Sequence, residues 1–158
     1  MRIIVIGLGY VGLPLAVQLA KHFETWGLDI NQARISELES GFDRTDEIDR
    51  ERLTASTLRL TTNAADCPPA DAYIVTVPTP IDGNNQPDLS PVIGATKMVG
   101  AMIKRGQNSV IIYESTVYPG VTEDICGPLL EEVSGLKHRT DFALGYSPER
   151  INPGDREH

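Results

Sequence analysis

Apolar residues along this chain arrive in short runs, each followed by a stretch in which they recur at helical spacing. Ile3 to Ile6 form the first run, a buried strand, and Val11 to His22 follow with almost no charge. In that second stretch Val11, Leu15, Leu19 and their neighbours cover most of a helix circumference, which predicts a buried helix. Thr25 to Ile30 predict a second strand. Asn31 to Ser40 predict a short helix with Ile35 and Leu38 inward and Gly41 as its stop signal. Phe42 to Ser56 are highly charged and are placed on the surface, helical in their later part. Leu58 to Thr62 alternate as a short strand, and Asp71 to Val77 are near-continuously apolar, as a buried parallel strand should be. Pro78-Thr79-Pro80 stop that strand, and a polar loop leads to a helix from Asp88 to about Arg105, with Ser90 as N-cap and Pro91 in its first turn. Ser109 to Glu114 predict a strand, Gly120 to Ser134 a helix, and Phe142 to Tyr146 a last strand before Ser147-Pro148-Glu149-Arg150. Strands and helices alternating at this spacing predict an α/β fold: a doubly wound, mostly parallel Rossmann sheet with helices on both faces. Residues 1–150 read as one domain without internal repeat or low-complexity tract, and the polar residues 151–158 as the truncated start of a connection.

The first junction between strand and helix carries the clearest chemistry. Gly7-Leu8-Gly9-Tyr10-Val11-Gly12 is a G-x-G-x-x-G turn, in which Gly7 permits the bend, Gly9 clears a path to a pyrophosphate and Gly12 lets helix pack on strand. The helix end adds unpaired N–H groups and a positive dipole terminus. Tyr10 shields the pyrophosphate or packs on the helix. About twenty residues on, Asp29 closes the second strand, where a carboxylate accepts hydrogen bonds from the adenosine ribose. That favours NAD over NADP, whose 2′-phosphate it would repel. A helix cap for residues 31–40 is the plainer role for Asp29 and is compatible with ribose contact.

Bulk properties narrow the field. With 158 residues the chain holds one real core, and 14 basic against 22 acidic residues give a formal charge of −8. No basic stripe exists to displace phosphate counterions, so nucleic acid is not the expected partner. Cys67 and Cys126 have no metal or redox spacing. No run reaches the ~18 apolar residues of a membrane span, and the glycine-broken first run is not a signal peptide, so a cytoplasmic protein is expected.

Ligands of an open α/β sheet sit at the carboxyl ends of its strands. Those tips are Gly7 to Gly12, Asp29, Val77 to Pro80, Glu114-Ser115-Thr116 and Ser147 to Arg150, five segments expected on one rim. Thr79 is held between two prolines, either facing the cleft or simply making the turn. Thr116 either stands at the nicotinamide end or caps the helix beginning near Pro119. Glu149 beside Arg150 is either a general base with its neighbour or a surface ion pair. The three histidines show no pairing pattern.

Taken in order, Gly7 to Gly12, Asp29-Ile30-Asn31 with Arg34, Val77 to Pro80, Glu114 to Val117 with Pro119-Gly120, and Ser147 to Arg150 resemble the amino-terminal domain of the UDP-glucose/GDP-mannose dehydrogenase family. The likeness spans nearly the whole chain. The string from Tyr146 to Asp155 is similar to the branch acting on UDP-N-acetylhexosamines, UDP-GlcNAc or UDP-GalNAc, whose uronic acids enter bacterial capsule and O-antigen polysaccharides. The resemblance implies oxidation of a sugar C6 alcohol to a carboxylate by two NAD-dependent steps through a cysteine thioester. It implies that Val11, Asp29, Arg34, Thr79 and Thr116 contact NAD, that Thr116 and Glu149 order water, that Glu149 takes part in thioester hydrolysis, and that Arg150 faces a UDP-sugar substrate. Neither cysteine lies in the family's nucleophile motif, and the domain that binds the sugar and builds a homodimer has no counterpart in these residues. The fragment is therefore expected to bind NAD without turnover. Two rival readings stand beside it, a β-hydroxyacid or 6-phosphogluconate type dehydrogenase and a non-catalytic dinucleotide-sensing module.

Overall fold

A computed structural model of the chain describes residues 1–148. Six parallel strands form one sheet: β1 (Arg2–Ile6), β2 (Glu24–Leu28), β3 (Arg59–Thr61), β4 (Ala72–Val75), β5 (Val110–Tyr113) and β6 (Ala143–Tyr146). Their spatial order is β3-β2-β1-β4-β5-β6, every neighbouring pair parallel. This is the doubly wound Rossmann order, whose direction of winding reverses between β1 and β4.

The sequence dictates that β1 be central, because its side chains alternate between two cores. Ile3 and Val5 pack with Leu8, Leu13, Val17, Ile35 and Leu38, under α1 (Gly12–Leu19) and α2 (Gln32–Glu39). Ile4 and Ile6 pack on the other face with Tyr73, Val75, Val92, Val99 and Leu130, under α4 (Ser90–Met102) and α5 (Gly127–Ser134). A strand apolar on both faces has no stable place at a sheet's edge. Its register, Ile6 beside both Leu28 and Val75, aligns the ends of the three central strands. The expected turns hold where glycine was the signal: Gly41 ends α2 at φ +81°.

Several expectations are corrected. Ser90 is the first helical residue of α4 and Leu89 its N-cap; Ser90 gives its own N–H to Asp88 Oδ1 at 2.9 Å, so Asp88 satisfies this helix start. The helix ends at Met102, short of Arg105. The single helix expected from Gly120 opens instead as a π-helical turn, Val121–Cys126, after left-handed Gly120 (φ +93°), and only then becomes α5. Asp29 does not cap α2, since the Asn31 side chain takes the Arg34 N–H at 3.2 Å.

The charged segment after α2 is also more than a solvated surface. Leu53 of α3 (Arg50–Ala55) and Ile48 are buried, and Asp43 has a fully covered side chain. The Asp43 carboxylate accepts the N–H groups of Thr45, Glu47 and Ile48 at 3.0 Å each and the Thr45 hydroxyl at 2.6 Å. Arg34 Nη2 stands 2.9 Å away as its ion-pair partner. Burial works against the Asp43 charge, but the Thr45 hydroxyl, the backbone N–H groups and Arg34 outweigh it and hold the carboxyl below its ordinary range. A carboxyl whose folded pKa lies below its unfolded value contributes stability that is present above the unfolded value, about 3.9, and lost as pH falls through the folded one. Acid titration of thermal stability should thus show a loss below about pH 4 that Asp43→Asn reduces. At neutral pH the same variant should lose about 2 kcal/mol in chemical denaturation.

Candidate cofactor site

A cavity of about 1010 Å³ opens at the carboxyl ends of the strands, over the reversal between β1 and β4. Four of the five predicted strand tips line it: Gly7 and Gly9 to Val11 after β1, Asp29 after β2, Val77 to Pro80 after β4, and Glu114 with Thr116 after β5. The fifth runs to the limit of the described residues. There the Ser147 N–H extends the pairing of β6 with β5 by donating to the Tyr113 carbonyl at 2.9 Å, while Glu149 and Arg150 lie outside the described residues.

Two glycines of the turn, Gly7 and Gly12, are required by conformation and contact. Gly7 has φ +93°, the left-handed region in which a Cβ is strained. A Cβ on Gly12 would stand 1.8 Å from the Gly7 carbonyl oxygen and 2.4 Å from Thr76 Oγ1. A Cβ on Gly9 meets nothing within 4 Å and would project into open space at the mouth of the turn. Between the glycines, Leu8 is fully buried, and its peptide is gripped on each side. Its N–H donates to Asp29 Oδ2 at 2.8 Å, its carbonyl accepts from Arg34 Nε at 2.8 Å, and the preceding Gly7 carbonyl accepts from the Thr76 hydroxyl at 2.7 Å. The helix that follows starts at Val11 with no side-chain cap and no acidic residue in its first turn, so its N-terminal dipole is left for a ligand.

Asp29 also accepts the Asn31 N–H at 2.9 Å through Oδ1, which leaves each oxygen further acceptor capacity beside the cavity. Arg34 lines the cavity while 95% buried, its guanidinium reaching Leu8, Glu37 (2.7 Å) and Asp43. Thr79 and Thr116 are brought together as expected, but through one bond: the Thr79 hydroxyl donates to the Thr116 carbonyl at 2.5 Å, tying the β4 and β5 tips. Thr116 does not begin the next helical segment, whose N-cap is Gly120. Tyr10, 39% exposed, lines the cavity from the turn itself.

Neither cysteine is poised as a nucleophile. Burial, with help from Asp66, pushes the Cys67 thiol up to about 11, and burial raises Cys126, which is fully enclosed beside Thr96 and Tyr113. Neither lines the cavity. Among the described residues no cluster of His, Cys, Asp and Glu could hold a metal ion, and no helix is long and apolar enough to cross a membrane.

Sequence reasoning missed Thr76, the lock on the Gly7 carbonyl, although a lone hydroxyl closing an otherwise apolar strand was its signal. It missed Arg44 and Thr45, which line the cavity, and Glu37, which Arg34 pairs at i,i+3 spacing. A charge-rich loop has no periodicity from which such an inward turn could be read.

A phosphate bridging the turn and the α1 terminus with a sugar diol beside Asp29 is what a dinucleotide presents, and the domain is of the dinucleotide-binding class. Comparison with known proteins is more specific. Residues 1–158 match the model of the UDP-glucose/GDP-mannose dehydrogenase family, NAD binding domain, and the chain belongs to that family. It is 54% identical over 159 residues to the UDP-N-acetyl-D-glucosamine 6-dehydrogenase of Pseudomonas aeruginosa, covering 100% of this chain and 37% of that protein. Protein CapL of Staphylococcus aureus is 50% identical, with 99% and 37% covered. Among solved structures, the UDP-D-ManNAc dehydrogenase of Pyrococcus horikoshii superposes with a TM-score of 0.87 at 38% identity, covering 98% of this chain and 37% of that one. The chain thus spans about 37% of the length of these relatives. NAD is the cofactor of the domain, and the open space at Gly9 and the uncapped α1 terminus fit it.

Two glycine variants separate folding from binding. Gly9→Ala should leave stability within about 0.5 kcal/mol, because its Cβ meets no protein atom, yet lower NAD affinity at least about tenfold by calorimetry. Gly12→Ala should cost about 3 kcal/mol in chemical denaturation, since its Cβ meets backbone that has nowhere to go.

Proposed function

We propose that the protein carrying this chain oxidises the C6 alcohol of a UDP-N-acetylhexosamine to the uronic acid, and that these residues are its NAD-binding domain. The observation that carries the reading is the 54% identity to a UDP-N-acetyl-D-glucosamine 6-dehydrogenase, which covers the whole of this chain and so every strand tip that lines the cavity. Converting an alcohol to a carboxylate removes four electrons and consumes one water. NAD supplies a two-electron hydride acceptor, so each sugar reduces two equivalents.

In this reading Asp29 accepts the adenosine ribose hydroxyls with the lone pairs that Leu8 and Asn31 leave, and the first turn of α1 faces the pyrophosphate. The Thr79 to Thr116 bond fixes the wall where the nicotinamide lies, beside Glu114. Arg34 acts on the cofactor chiefly by holding the Leu8 carbonyl and so the turn. Glu149 orders the water that cleaves the thioester, and Arg150 faces the substrate. The nucleophilic thiolate comes from residues outside this chain, because half-buried Cys67 and buried Cys126 are held as thiols away from the cavity. The whole protein works as a cytoplasmic homodimer, with residues 151–158 leading into its sugar-binding part. Membership of the family disfavours a β-hydroxyacid substrate.

The full-length protein, given UDP-GlcNAc, UDP-GalNAc and UDP-glucose with NAD, should release two NADH per sugar and favour an N-acetylated substrate. Residues 1–158 alone should bind NAD in calorimetry without producing NADH. One NADH per sugar, or no oxidation of any UDP-sugar, would overturn the reading.

A further inference from the structure

Two arginines, Arg34 and Arg44, line the cavity at the end where Asp29 stands. Cations in that place are the usual means of accepting the 2′-phosphate of NADP, yet both are committed elsewhere. Arg34 gives Nε to the Leu8 carbonyl and Nη1 to Glu37 Oε1, and its Nη2 faces Asp43 Oδ1 at 2.9 Å without a well-aligned hydrogen bond. Arg44 sets Nε 2.5 Å from Glu37 Oε2, and its backbone N–H donates to Glu37 Oε1 at 2.8 Å. One carboxylate therefore grips both guanidinium groups and the backbone that carries the second.

We propose that Glu37, by occupying Arg34 and Arg44 together, is a determinant of the choice of NAD over NADP, acting beside Asp29. Arg34 is buried and cannot swing out, whereas the Arg44 side chain is 53% exposed and is the cation free to turn toward a 2′-phosphate if released. Glu37 itself is nearly covered, with 12% of its side chain exposed. Burial disfavours its charge, but the Arg44 N–H and the two guanidinium groups outweigh that and hold the carboxyl below its ordinary range, so it is ionised at neutral pH. Around the ribose position two guanidinium charges face the three carboxylates Asp29, Glu37 and Asp43, and a dianionic 2′-phosphate meets a surplus of negative charge. Neutralising Glu37 removes that surplus and frees Arg44, while Asp29 stays in place.

The proposal rests on the placement of the adenosine ribose at Asp29, and the test keeps the two apart. Affinities for NAD and NADP are measured by calorimetry on the purified full-length protein and on its Asp29→Asn, Glu37→Gln and Arg44→Gln variants, at about 50 mM and about 0.5 M salt. Glu37→Gln should shift the affinity ratio toward NADP about tenfold at low salt, with most of the shift lost at high salt. Arg44→Gln, which widens the negative surplus but removes a cation that Glu37 already occupies, should turn the ratio against NADP by no more than about threefold. It should also cancel the gain when combined with Glu37→Gln. A selective loss of NADP binding of about tenfold or more in Arg44→Gln alone, the mark of an Arg44 already serving the 2′-phosphate, would overturn the proposal even if Glu37→Gln fails to fold. So would an unchanged ratio in a folded Glu37→Gln protein while Asp29→Asn changes it. An unchanged ratio in Asp29→Asn would overturn the ribose placement and the proposal with it.

Discussion

The peptide of Leu8 is held from three directions by side chains that start on three different elements, and the cofactor end of the domain takes its shape from that grip. Asp29 closes β2, Arg34 belongs to α2 and Thr76 follows β4. Each satisfies a backbone group that would otherwise be buried without a partner, at a cost of about 1–3 kcal/mol apiece. The Leu8 side chain beneath is fully enclosed, fitted against Gly27, where an added Cβ would stand 2.9 Å from Leu8 Cδ1. A turn this thoroughly tied meets a pyrophosphate with little left to reorganise, and preorganisation of that kind keeps the cost of binding low.

Much of this was legible in the sequence. The alternation of Ile3, Ile4, Val5 and Ile6 into two cores, the glycine turn and the acid closing β2 are local signals, because strand period, left-handed φ and a carboxylate at a strand tip each act over a few residues. The rest depended on partners distant in the chain. Asp43 sits in a charged run that reads as surface, and only the approach of Arg34 from α2 turns it inward. Thr116 reads either as a helix cap, by its spacing to Pro119, or as a group at the nicotinamide end; the helical segment takes Gly120 as its N-cap, and Thr79, 37 residues earlier, donates to the Thr116 carbonyl. The π turn at Val121–Cys126 keeps Val121, Thr122 and Cys126 buried, the apolar pattern of an ordinary helix, so periodicity could not distinguish it.

Charge is arranged at the Asp29 end of the cavity with the same economy. The segment that follows α2 is tied down by Asp43 and Glu37, and the ion pairs that hold it are the ones that reach the cavity wall through Arg34 and Arg44. Structural and ligand-facing duties therefore fall on the same few side chains. Substitutions there are expected to change fold stability and cofactor preference together.

The bare start of α1 places part of the domain's stability outside its own chain. No side chain caps Val11 and no acid stands in the first turn, so the oriented amides there lack a side-chain counter-charge and suit a bound anion. The folded state is thus a reporter of dinucleotide supply: saturation at a hundred times the dissociation constant adds about 2.7 kcal/mol. The domain would be most prone to local unfolding and proteolysis wherever that supply runs short.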